Sequence, residues 1–142
     1  MKIKNYTDYS VKDLREIIKF VKPSGVSKFD ISFKNCQYAY RGMAYTEGCS
    51  YHDSPAPLII VSVGKRTDFP IRVEKRKGKG YLPVDIYSRE EAFVYVTAHE
   101  IRHLWQYKHP KGWRVWGARG RYSERDADAY AIRKLRQWRR ER

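Results

Sequence analysis

The chain of 142 residues has only two cysteines, Cys36 and Cys49, and no CxxC spacing. That scarcity excludes a disulfide framework and a cysteine-rich zinc module, and two reduced core thiols are expected instead. No apolar run approaches membrane-spanning length, and the first residues, MKIKNYTDYSVKDL, lack the apolar stretch of a secretion signal. The expectation is a cytoplasmic protein with no membrane partner. Acidic residues are scarce too: 16 stand against 30 Lys and Arg, for a formal net charge of +14. Such a field favours polyanionic partners, with nucleic acid the first suspect. No internal repeat and no low-complexity segment interrupts the chain.

What is present describes one compact unit spanning residues 1–142. The apolar share of 42% supplies a core, and twelve tyrosines suit amphipathic contacts at its margin. Ser10 followed by Asp13 sets up a helix N-cap for SVKDLREIIKFVK, in which Val11, Leu14, Ile17, Ile18 and Val21 recur at helical spacing. Pro23-Ser24-Gly25 stops it. KFDISF, YAYRGMAY and LIIVSV follow as strand candidates bounded by turn residues. FPIRVEKR and YLPVDIY then read as a hairpin with its tip at Lys77-Gly78-Lys79-Gly80, and Pro83 assigns the second strand to a sheet edge.

Ser88 and Glu91 form a capping box that opens the helix REEAFVYVTAHEIRHLWQYK, which ends near His109-Pro110-Lys111-Gly112. A loop with Trp113, Trp116, Gly117 and Gly120 leads to Ser123, the expected cap of ERDADAYAIRKLRQWRR. That last helix is acidic at its start and basic at its end, as the helix dipole prefers. The expected fold is therefore α+β: an N-terminal helix, a small, mostly antiparallel sheet and two C-terminal helices.

The chemistry concentrates in HEIRH. His99 and His103 are four residues apart on one helix, so both imidazoles project from one face and can share an ion. Glu100 is rotated about 100° from His99, badly placed to ligate but well placed to reach a metal-bound water. Two histidines on a helix can also be ordinary core or surface residues. Here they sit mid-helix in a strongly apolar element, where burying two imidazoles and a carboxylate without a metal is costly. A catalytic zinc site takes three protein ligands and an open position. Glu124 opens the next helix twenty-one residues after His103, and Asp128 follows one turn on, where it can accept the outer N–H of a ligating histidine.

HEIRH followed by ERDADAYA resembles the gluzincin metallopeptidases, in which an HExxH helix precedes a helix bearing an ExxAD or ExxxD motif. The resemblance covers roughly residues 88 to 135. It implies a minimal zincin-like fold, one Zn2+ per chain held by His99, His103 and Glu124, Glu100 as general base, and Asp128 supporting a histidine. Ala127, Tyr130 and Ala131 extend the match as packing positions. The activity implied is hydrolysis of peptide bonds in a peptide or protein substrate, which can pair with an exposed sheet edge.

A rival third ligand is His109, six residues after His103 as in the metzincin pattern HExxHxxGxxH. Gln106 occupies the glycine of that pattern, no Met follows for a Met-turn, and His109 beside Pro110 suits a helix end. His52, His109, Arg119, Arg121 and Tyr122 are all candidates to stabilise an oxyanion, and spacing does not choose among them. Basic clusters at Lys75 to Lys79 and Arg133 to Arg142, with Trp113, Trp116 and Trp138 near in sequence, are either solvated faces or a grip for phosphates and bases. That combination resembles SprT-like proteases acting on DNA-bound protein, although their third ligand is a histidine. A non-enzymatic basic binding module with a structural zinc, closed by His109 as a fourth ligand, is the other class.

Overall fold

The computed structural model describes residues 1–37, 39–45, 56–65, 69–73, 84–108 and 124–142. Their order is β1 (Ile3–Asn5), α1 (Val11–Val21), β2 (Asp30–Cys36), β3 (Tyr40–Tyr45), β4 (Leu58–Gly64), β5 (Ile71–Val73), β6 (Val84–Ile86), α2 (Arg89–Lys108) and α3 (Glu124–Arg140). The class is α+β, with a four-stranded sheet in the order β1-β2-β4-β3 and a separate β5-β6 pair.

The expectation of a mostly antiparallel sheet holds for β3/β4 and β5/β6, but β1/β2 and β2/β4 are parallel. The connections explain the mixture. α1 is inserted between β1 and β2 as a crossover, which returns the chain in the same direction. β3 follows β2 after a short turn yet leaves a strand's width between them, and β4 fills it by running parallel to β2 and antiparallel to β3. β1 escapes a reading of the sequence because three residues with a single apolar member, Ile3, carry no periodicity of their own. It exists through its register with Ile31, Ser32 and Phe33.

The helices lie on one face of the sheet. Leu14, Ile17, Ile18 and Val21 turn one stripe of α1 inward, and Ser10 Oγ accepts the N–H of Asp13 at 3.1 Å. α2 is buried almost all round, from Ala92 through Leu104, between the sheet and the other helices. At its start Ser88 Oγ accepts the Glu91 N–H at 3.2 Å, but the reciprocal bond goes one residue back, from the Tyr87 N–H to Glu91 Oε1 at 3.0 Å. The same carboxylate receives Arg139 of α3 at 2.7 Å, and Trp138 Nε1 donates to Glu90 at 3.0 Å. These contacts clamp the end of α3 against the start of α2, and the antiparallel pairing of the two helices places the start of α3 beside HEIRH. Trp138 is thereby a core residue, 5% exposed, and is not available to stack on bases. Cys36 is partly buried. No helix among the described residues is long and apolar enough to cross a membrane. The hairpin tip at 77–80, Cys49, Pro83, Trp113, Trp116, Ser123 and the cluster Lys75 to Lys79 lie outside the described residues.

Candidate metal centre

The packing of α2 on α3 brings together all five residues singled out in the sequence. His99 Nε2 lies 3.2 Å from His103 Nε2 and 3.0 Å from Glu124 Oε2, while His103 Nε2 lies 3.0 Å from Glu124 Oε1. Two donors each bonded at about 2.0–2.1 Å to a tetrahedral Zn2+ sit about 3.3 Å apart; the two imidazoles are near that spacing, the Glu124 contacts come from its two different oxygens, and the groups that could hold an ion are His99–Glu100–His103 and His99–Glu124–Asp128. His99, Glu100 and His103 are buried, and Glu124, with its side chain 40% exposed, forms the open side.

The outer nitrogens decide what the inner ones can do. His99 Nδ1 is 2.9 Å from Asp128 Oδ1, and a carboxylate only accepts, so Nδ1 carries a proton; Nε2 faces a second carboxylate, Glu124, and calls for a proton or a cation as well. Tyr95 Oη donates to the same oxygen at 3.4 Å. His103 Nδ1 is 3.0 Å from Gln106 Oε1. That amide has no freedom to turn over: Gln106 Nε2 stands 3.0 Å from Asp126 Oδ2, and Asp126 also accepts from Arg102 Nε at 2.7 Å and Nη2 at 3.2 Å. Since the amide nitrogen must face Asp126, its oxygen faces His103, and His103 also carries its proton on Nδ1. Each Nε2 is thereby the ring atom that faces the other imidazole and the Glu124 carboxylate. Acceptors converging at this distance repel one another unless a positive charge lies among them.

The electrostatics register the same demand. Burial opposes charge on His99, yet the contacts with Asp128 and Glu124 outweigh it and raise its pKa to about 10. The neighbouring His103 and His99 hold Glu124 well below the usual carboxylate range. Glu100 shifts the other way, raised by burial despite the pull of the two histidines. A proton and a divalent cation answer the same need, and so they compete for it.

Glu100 stands beside these side chains, its Oε1 3.7 Å from His99 Nε2. On its other side runs β3. A Cβ built at Gly42 would lie 2.7 Å from both Cγ and Oε1 of Glu100, closer than van der Waals contact allows. Gly42 is thus the condition for β3 and Glu100 to approach as they do. The sequence offered a signal that went unread, since a glycine inside a strand pattern often marks close approach by another group. Arg102, Gln106 and Asp126 were missed as well. Arg102 and Gln106 share a face of α2 at i, i+4, and Asp126 lies between Glu124 and Asp128 in ERDAD, but only the docking of the helices connects them. Ala127, Tyr130 and Ala131 are buried, as packing positions should be.

His52, His109, Arg119, Arg121 and Tyr122 lie outside the described residues. Comparison with known proteins finds no match among family models, curated proteins or solved structures.

Proposed function

We propose that the chain is a zinc-dependent metallohydrolase that cleaves peptide bonds, with His99, His103 and Glu124 as metal ligands and Glu100 as general base. One observation carries the reading: two imidazole Nε2 atoms lie 3.2 Å apart, each 3.0 Å from an oxygen of Glu124, with the buried Glu100 beside them. A set of two nitrogens and a carboxylate suits Zn2+, which when bound lowers the pKa of a water to about 7 and polarises a carbonyl. The remaining steps belong to the chain. Glu100 accepts the proton of the attacking water and returns it to the leaving amine, and the rise in its pKa on burial brings it closer to the range where one group serves as both base and acid. Asp128 and Gln106 keep the histidines in the tautomer that leaves Nε2 free. β3 ends the sheet among the described residues and passes Glu100 at Gly42, which supports pairing of an extended peptide along that strand.

Purification without added metal should yield about one zinc per chain, released on acidification as the ligands protonate. Glu100→Gln should keep that zinc and lose about 100-fold or more in cleavage of an unfolded protein such as casein. A zinc-free wild type, or a Glu100→Gln variant that cuts casein as fast as wild type, would defeat the proposal.

A further inference from the structure

The face of the sheet turned away from the helices has a composition that the metal centre does not explain. Strand alternation assigns it. Ile3, Ile31, Phe33, Ile59, Val61 and Val63 enter the core, and Gly42 faces Glu100, so their neighbours in each strand point to the other side. The pairing registers order those neighbours into rows. Lys4 stands beside Ser32, Ile60 and Met43; Tyr6 stands beside Lys34, Ser62 and Arg41; the row that starts at Lys2 runs through Asp30 and Leu58 to Tyr45. A groove of about 700 Å³ opens here, with Lys2, Lys4, Tyr6 and Lys34 along its sides and Leu58 and Ile60 in its floor.

Among the described residues, four cations face one acid on this surface. The acid, Asp30, already accepts the backbone N–H of Lys2 at 3.0 Å. Lys2, Lys4, Lys34 and Arg41 are exposed, and Tyr6 is 62% exposed. A purely solvated sheet face would carry polar residues throughout, but Leu58, Ile60 and Met43 stand among Ser32 and Ser62 here. We infer that this outer sheet face binds single-stranded nucleic acid, with Lys2, Lys4, Lys34 and Arg41 holding phosphates and Tyr6 and Tyr45 stacking bases over the apolar floor. A charged backbone flanked by aromatic platforms is how single strands are held without sequence preference. A duplex offers this surface its phosphates but hides the base faces that the tyrosines and the floor would cover. An acidic protein surface answers the lysines and leaves the rings without partners. The site is independent of the metal centre, which lies on the opposite face of the same sheet.

The test is fluorescence anisotropy of a labelled oligo(dT) of about 16 nucleotides, a length within the range one such platform engages. Lys4→Glu/Lys34→Glu should weaken binding at least tenfold and reduce the slope of log K against log salt by about 1.4, the release expected for two phosphates on a single strand. Arg136→Glu/Arg140→Glu, on exposed positions of α3, changes net charge by the same amount and should move affinity less than threefold. Tyr6→Ala should cost roughly tenfold, as loss of one stacked base does. All these positions are exposed, and circular dichroism melts verify that the variants fold. An equal or larger loss in the α3 variant overturns the assignment, because global charge or the last helix would then be the determinant. So does an unchanged Tyr6→Ala, or competition by duplex DNA, polyglutamate or phosphatidylserine vesicles as effective as that of unlabelled oligo(dT).

Discussion

His99 and His103 stand one turn apart on the same helix and present the same atom to the same point, yet different chemistry holds them. His99 leans directly on a carboxylate of α3, Asp128. His103 leans on a neutral amide from its own helix, Gln106, which is locked by Asp126, which in turn is locked by Arg102. Arg102 itself lies over the Trp105 ring, 3.7 Å from its centroid, so the chain of contacts ends in packing rather than in solvent. A carboxylate partner raises the basicity of an imidazole as well as orienting it, whereas an amide only orients it. On the proposed reading, the first arrangement tunes a metal ligand, and the second turns the fit between the two helices into a ligand's orientation.

The largest effect should come from the root of the longer arm. Arg102→Met leaves Asp126 buried without its cation, at a cost of about 3–5 kcal/mol in unfolding free energy measured by urea titration. Adding Asp126→Leu should recover most of that stability without restoring zinc affinity, since Gln106 then has nothing to hold its amide. Recovery of both together would mean that the arm supports the fold and not the histidine.

Zinc affinity separates the arms directly. Competition with a chelator at fixed pH should show Asp128→Asn weakened toward 100-fold and Gln106→Leu nearer tenfold, since only the first loses charge as well as orientation. Equal losses would remove the distinction between tuning and orienting. Gly42→Ala tests the base and not the ligands. Its added methyl must displace the Glu100 carboxylate or β3, so zinc content should hold while casein cleavage falls by up to about 100-fold, the scale of a misplacement near 1 Å.

The smallest effect concerns pH in the metal-free chain. His99 has a folded pKa of about 10 against 6.5, so its contribution to stability is complete below about 6.5 and is lost as pH rises toward 10. Glu124, depressed, contributes above its ordinary value of 4.5 and loses that contribution as acid drives the pH toward its folded pKa. The partial exposure of Glu124 screens the pair, so the decline in urea midpoint from pH 7 to pH 10 should be modest. It should flatten in Glu124→Gln and vanish once zinc replaces the proton.

The helices were legible because each carries its own periodicity and stop signals: Ser10 and Pro23 bracket α1, and α2 and α3 run over the residues that their patterns mark. HEIRH was legible for the same reason, since helix geometry alone places His99 beside His103. Apart from β1, the strands were legible as segments but not as a sheet. Nothing in LIIVSV says that it lies between β2 and β3 and parallel to one of them, because register and order depend on partners distant in sequence.

By itself, then, the sequence determined the helices and the strand segments other than β1, the histidine pair and the candidacy of Glu124 and Asp128, all of which follow from local pattern, from spacing along one helix or from residue type. Only the tertiary structure decided that Glu124 comes within 3.0 Å of both histidines, that Arg102 and Asp126 immobilise Gln106, and that Gly42 is small because Glu100 is there. The physical reason is that spacing in sequence specifies angles about one helix axis, whereas these contacts depend on the distance between two elements, and that distance is set by the core packed between them.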